Sequence, residues 1–158
     1  MAAREGKGGG RTPVVTNRRA RHEVEVLDTV EAGIALVGPE VKSLRAGRAN
    51  LVDAWAQVRG GEVFLRGLHV SPYAQAGREN PEPTRERKLL LHRHEIARLA
   101  REARERGVTL IPLSIYFRDG RAKVELGVVR GRRKHDKREA IRRREQEREA
   151  ARATRRRR

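Results

Sequence analysis

Cysteine is absent from the 158 residues, which removes disulfide frameworks, thiolate zinc sites and cysteine nucleophiles at once. Aromatic side chains are nearly as scarce, with one Trp, two Tyr and two Phe. No long apolar run and no basic amphipathic helix with an aromatic face is visible, so a membrane is not the expected partner. The opening MAAREGKGGGR lacks the apolar core of a signal peptide; residues 1–14 read as a disordered arm of a cytoplasmic protein. Phosphate-binding loop, dinucleotide glycine fingerprint and serine elbow are all missing. The five histidines, His22, His69, His92, His94 and His135, are scattered, and His92-x-His94 has no third ligand in sight. No metal, no cofactor and no catalytic residue is therefore expected. His22 and His135 each adjoin an acid and several basic residues, as a nuclease acid–base group would, but in so basic a chain contact with phosphate or base is the better reading.

What the chain has in excess is positive charge. Thirty-eight Lys and Arg stand against 21 Asp and Glu, a formal net charge of +17. Folding requires nothing of the kind, so the excess describes a partner, and nucleic acid is the natural polyanion. The charge is unevenly spread: residues 130–158 hold fifteen Lys or Arg and five Asp or Glu, a net of +10. Ile141 and scattered Ala give that segment no apolar periodicity, so burial cannot offset its ordering entropy. Residues 131–158 are expected to be disordered alone and helical on a polyanion, although composition by itself equally describes a solubilising tail.

The remaining stretch, 15–130, suits one domain and is organised around Gly38–Asn50, GPEVKSLRAGRAN. Gly38 and Pro39 break an incoming strand, Pro39 presets the first helical turn, and Glu40 places an acid where the helix dipole favours it. Val41 and Leu44 form a narrow apolar stripe, Lys42 and Arg45 a basic face, and Gly47 a C-cap. Such a helix offers Lys42, Arg45 and Arg48 to an anion, or is only a solvated connector.

Strands are expected on both sides. His22–Leu27 alternates, Asp28-Thr29 suits a turn, and Val30–Val37 is apolar on both faces, as a strand inside a closed or covered sheet would be, with Gly33 marking a bend or bulge. Leu51–Arg59 turns at Gly60-Gly61 into Glu62–Val70. Trp55 falls on the polar side of its strand, where it either packs under the small helix, the preferred placement, or offers a stacking platform to a base. Ser71–Thr84 is a long loop ending in RERKLLL, followed by a helix to Arg106 stopped by Gly107. Thr109–Phe117 and Ala122–Val129 make a second hairpin, with Pro112 at an edge or bulge and Ile111, Leu113, Ile115 and Phe117 facing the core. Six short strands joined mostly by hairpins predict a mainly β fold, an antiparallel barrel with peripheral helices.

TNRRARHE (16–23), EAGIALVGPEVKSLRAGRANL (31–51), PTRERKLLL (83–91) and GRRKHDKR (131–138), in this order and spacing, closely resemble the SsrA-binding protein family of bacterial trans-translation. The resemblance runs from Val15 to Arg138. It implies a six-stranded oligonucleotide-binding-like barrel that binds the tRNA-like domain of tmRNA. It further implies delivery of tmRNA to stalled ribosomes, with the C-terminal tail in the vacant small-subunit decoding site and message channel, by a monomer that is not an enzyme. Carried onto this chain, it implies an RNA-binding face of Asn17, Arg18, Arg19, Arg21 and His22, surrounded by Glu31, Lys42, Arg45, Asn50, Lys88 and Leu90. Glu31 would accept hydrogen bonds from base donors or hold a neighbouring Arg, since a carboxylate repels phosphate. Leu90 equally suits the core. His135, Asp136, Lys137 and Arg138 match the motif that opens the family's tail. Val24 stands where relatives often have an aromatic, which removes stacking there, and the tail beyond Arg138 is unusually rich in arginine.

Overall fold

Alternation at period two builds the scaffold: Val30, Ala32 and Ile34 turn inward along one strand while Thr29, Glu31 and Gly33 lie on its other face. The computed structural model describes residues 12–131 and 145–153. In chain order its elements are β1 (Pro13–Thr16), α1 (Arg18–Glu23), β2 (Val24–Ile34), α2 (Gly38–Arg45) and β3 (Ala49–Asn50). β4 (Trp55–Arg59), β5 (Glu62–Arg66), β6 (His69–Val70) and a 3-10 segment at Ala74–Glu79 follow. The series ends with β7 (Arg87–Leu90), α3 (Arg93–Ala103), β8 (Val108–Arg118) and β9 (Arg121–Gly131). β1 includes Pro13 and Val14, which the sequence assigns to the arm. Residues 145–153 are helical.

Six antiparallel strands close a ring in the order β8-β4-β5-β7-β2-β9, with β9 pairing back onto β8. β1 adds to β8 outside the ring, and β3 pairs β6 in a separate ribbon. One core fills the assembly, with Val63, Leu65, Leu89, Leu110, Ile115, Val124 and Leu126 from strands, Leu44 from α2 and Leu99 from α3.

The ring has the six strands expected, with β1, β3 and β6 in addition, but its strands are not the ones the sequence marks. His22–Leu27 and Val30–Val37 are not two strands around a turn. His22 and Glu23 end α1, and residues 24–34 form one strand: the pairing with β9 shifts between Val26 and Asp28, so Leu27 is the bulged residue, while Asp28 stays paired with Val128 and accepts the Thr29 N–H at 2.9 Å. Gly33 is not the bulge; a Cβ there would stand 3.2 Å from the Cβ of Leu90, so its role is close approach of β2 and β7. Leu51–Arg59 is interrupted as well, since Asn50 Oδ1 accepts the Val52 N–H at 2.9 Å and turns the chain before β4. The sixth member of the ring is β7, which the sequence reading leaves in the loop and the start of a helix. Pro112 does sit at a bulge, and the shift it causes puts Leu110 and Ile115 in the core while Ile111 is half-buried. Trp55 does not pack under α2. It lies on the outer face of β4, 39% exposed, with the Arg66 guanidinium 5.5 Å from its ring centroid.

Candidate nucleic-acid interface

α2 is short, and its placement depends on what holds its first turn. Glu40 accepts the Val37 N–H at 3.0 Å as the dipole argument requires, but its carboxylate is also buried against two arginines of the 83–91 segment. Arg87 Nε lies 2.6 Å away and Arg85 Nε 3.1 Å. Burial opposes charge on Glu40, yet the bonds from Arg85, the Val37 N–H and Arg87 outweigh it and hold the carboxyl below its usual value. Desolvation likewise lowers Arg87 from its ordinary value, opposed by Glu40. Ser43 Oγ donates to the Ser71 carbonyl at 2.6 Å, Leu44 is fully buried, and Gly47 at φ +70° closes the helix in the left-handed conformation that suits glycine. With that face fixed, Lys42, Arg45 and Arg48 are turned to solvent.

The Arg45 guanidinium sits 4.3 Å from the Phe117 ring centroid, which sets its plane and ties α2 to the end of β8. Phe117 also lines a cleft of about 720 Å³ between α2, β2, the start of α3 and the β8–β9 turn. Glu31, Val41, Leu90, His92 and Lys123 share that lining. Leu90 is 53% exposed, so it belongs to the cleft wall and not to the core. Glu31 accepts a short hydrogen bond from the Tyr116 hydroxyl and a second from Arg118 Nη1 at 3.3 Å. Of the two roles open to Glu31 in the sequence, holding an Arg in place is the one the fold displays.

Glu31 and Leu90 thus meet in one cleft, to which α2 contributes Val41 and on whose Phe117 the Arg45 guanidinium is stacked. Other expected residues lie elsewhere. Asn17 is 2% exposed: its Oδ1 accepts the Ala20 N–H at 3.2 Å and its Nδ2 donates to the carbonyls of Leu51 and Pro112, both at 3.2 Å. It is the cap and anchor of α1, with no polar atom turned outward. Arg18, Arg19 and His22 are exposed on that helix, Arg19 paired with Glu23 at 3.1 Å. Arg21 belongs to α1, but its side chain lies outside what the structure describes. Asn50 is exposed and serves its own turn; Lys88 pairs with Glu62 at 2.9 Å on the outer face of β7. His135, Asp136, Lys137 and Arg138 lie outside the described residues. The sequence did not mark Arg85, Arg87, Tyr116, Phe117 and Arg118 as site residues, and only the alternation of Arg87 with Leu89 hinted that an arginine points inward.

Among the described residues no group of three or more His, Asp or Glu is placed to hold a metal ion. No described helix is long and apolar enough to cross a membrane.

Comparison with known proteins gives the geometry a family. The family model described as SmpB protein matches residues 14–156. The SsrA-binding protein of Salinispora arenicola is 57% identical over 144 residues, 91% of each chain. That of Thermobifida fusca is 55% identical over 155 residues, 98% of this chain and 97% of the relative. A solved structure described as "tmRNA-SmpB: a journey to the center of the bacterial ribosome" superposes with a TM-score of 0.64 at 51% identity, covering 73% of this chain and 82% of that one. A family model spanning the ring and much of the basic extension, together with relatives more than half identical over nine-tenths of the length, shows that this chain belongs to the SmpB family of SsrA-binding proteins.

Proposed function

We propose that the chain is a non-enzymatic RNA-binding adaptor of trans-translation that grips the tRNA-like domain of tmRNA and delivers it to stalled ribosomes in the cytoplasm. The observation that carries this reading is the cleft lined by Val41 of α2 and by Phe117, on which Arg45 is stacked, with Lys42 exposed on the same helix and the helix's other face locked by Glu40 and Leu44. A fixed pair of cations beside a partly apolar cleft suits a folded RNA, in which phosphates surround accessible bases. The relatives' description as SsrA-binding proteins and the neighbour's description as a tmRNA complex of the bacterial ribosome support it. On this reading the ring is an oligonucleotide-binding-like barrel, the RNA-binding domain of a monomer begins with β1 at Pro13 and runs to residue 130, and the residues before Pro13 are an arm. Residues 131–158 then enter the vacant decoding site and message channel of the small subunit. There His135, Asp136, Lys137 and Arg138 open the contact, and the arginines beyond them neutralise ribosomal RNA.

A chain ending at Gly131 tests both halves. It should shift tmRNA in a gel, against bulk tRNA as competitor, as well as the full chain does, and it should fail to support tagging on ribosomes stalled without a stop codon. Normal tagging by the truncated chain ends the tail assignment, and preference for a homopolymer over the tRNA-like RNA ends the adaptor reading.

A further inference from the structure

Outside the cleft, the β4–β5 hairpin carries a second surface with a chemistry of its own. In its register Trp55 faces Arg66 and Gln57 faces Phe64, and Phe64 in turn faces Lys88 of β7. These side chains share the outer face of the ring. The Arg59 guanidinium lies 4.3 Å from the Phe64 ring centroid, and the Arg66 guanidinium lies more loosely over Trp55 at 5.5 Å. One carboxylate fixes both cations: Glu86 is 2.7 Å from Arg59 and 3.6 Å from Arg66. The sequence suggests no partner for Trp55 because the second aromatic is on the neighbouring strand, nine residues away.

We propose that this face is a second RNA contact of the chain, on which unpaired bases stack, one against Trp55 and one on the guanidinium plane that covers Phe64. Planar cations layered on rings present flat surfaces that every base can use, and stacking of this kind does not depend on sequence. Charge decides between base and phosphate as the group received. Arg59, Arg66 and Lys88 are opposed by Glu86 and Glu62, so the patch is close to neutral and attracts phosphate weakly. Continuity decides between RNA and a protein partner. Lys88 lies on this face and Leu90, two residues along the same side of β7, lines the cleft, so the two surfaces adjoin along β7 and one RNA can reach both. The inference rests on the RNA-adaptor reading above and extends its footprint.

Trp55 is the only tryptophan in the chain, which makes its fluorescence a direct readout. The full chain is titrated with purified tRNA-like RNA while the gel shift and the emission are followed in parallel. The expected result is quenching that saturates where the gel shift saturates. Trp55→Leu is expected to weaken binding about tenfold with an unchanged salt slope, and Trp55→Phe to restore most of it, because a ring is kept. Saturated binding with unchanged emission overturns the proposal, as does a Trp55→Leu protein that binds like the parent or loses salt dependence instead of stacking. A parent chain that gives no gel shift at all would instead sink the adaptor reading on which the proposal stands.

Discussion

Arg87 Nε lies 2.6 Å from Glu40 Oε2, and both side chains are closed off from water, at 0% and 2% exposure. The pair joins β7 to the first turn of α2 across 47 residues, and the other Arg87 donors are taken by the carbonyls of Leu68, Arg85 and Pro83. A buried pair of this kind costs desolvation to assemble, but losing one member costs far more, because an uncompensated charge stays behind. Glu40→Gln strands two guanidinium groups, whereas Arg87→Met leaves Glu40 with Arg85. Glu40→Gln is therefore expected to lose roughly 3–5 kcal/mol in urea unfolding. Arg87→Met should lose less. Equal losses would mean that Arg85 adds nothing.

The same carboxylate sets an acid limb. Burial works against its charge, but Arg85, the Val37 N–H and Arg87 together hold its folded pKa below the ordinary 4.5. A group with a depressed folded pKa contributes stability that is complete above its unfolded value and is lost as pH falls through the folded one. Urea midpoints measured from pH 7 down to pH 3 should hold level until about 4.5 and then fall, and in Glu40→Gln the drop below that point should be shallower. Parallel curves for the two proteins would show that Glu40 is not the group responsible.

This pair also shows where legibility ended. Gly38, Pro39 and Gly47 are local signals, so α2 and its Lys42–Arg45 face could be read from sequence within a residue or two. β7 could not, because RKLL places a charged residue at a core position and the acid that makes this tolerable is 47 residues away. α1 has almost no apolar period, with Ala20 buried on it, and is fixed instead by Asn17 reaching Leu51 and Pro112. Glu31 and Leu90 entered as site residues through the family's motifs, and nothing local indicated that Tyr116 and Arg118, 85 and 87 residues on, would hold the acid.

Asn17 is expected to act on RNA only through α1. Asn17→Ala removes the cap and leaves two carbonyls without their donor, which should cost about 1–3 kcal/mol. Asn17→Asp keeps an acceptor for Ala20 but sets a carboxylate against the Leu51 and Pro112 carbonyls, so it should destabilise at least as much. Thermal melts rank the two. Unchanged melts with weakened tmRNA binding would instead make Asn17 a direct contact.

Lys42 and Arg45 should separate by chemistry. The Lys42 ammonium has no hydrogen-bond or ion-pair partner among the described residues, so Lys42→Ala should leave the melt unchanged and reduce the salt slope of tmRNA binding by about one. Arg45 is stacked on Phe117, so Arg45→Lys should keep the slope yet weaken binding, because the charge survives and the oriented plane does not. Gel shifts at several salt concentrations decide the matter, and identical behaviour of Arg45→Lys and the parent would show that stacking is irrelevant.

Glu31 can matter for RNA in two ways, as an acceptor for a base or as the support of Arg118, and a double-mutant cycle distinguishes them. If Arg118 makes the contact while Glu31 and Tyr116 fix its position, then Glu31→Gln and Arg118→Ala remove the same interaction. Each should weaken tmRNA binding by a similar factor, near tenfold, and the double variant should be no weaker than either single one. The resulting coupling energy would be about 1.4 kcal/mol. A Glu31 that meets a base independently would give additive losses instead, close to a hundredfold in the double variant. The geometry favours coupling, because Glu31 accepts from both Tyr116 and Arg118, leaving the guanidinium as the group better placed to meet a phosphate at the cleft's edge.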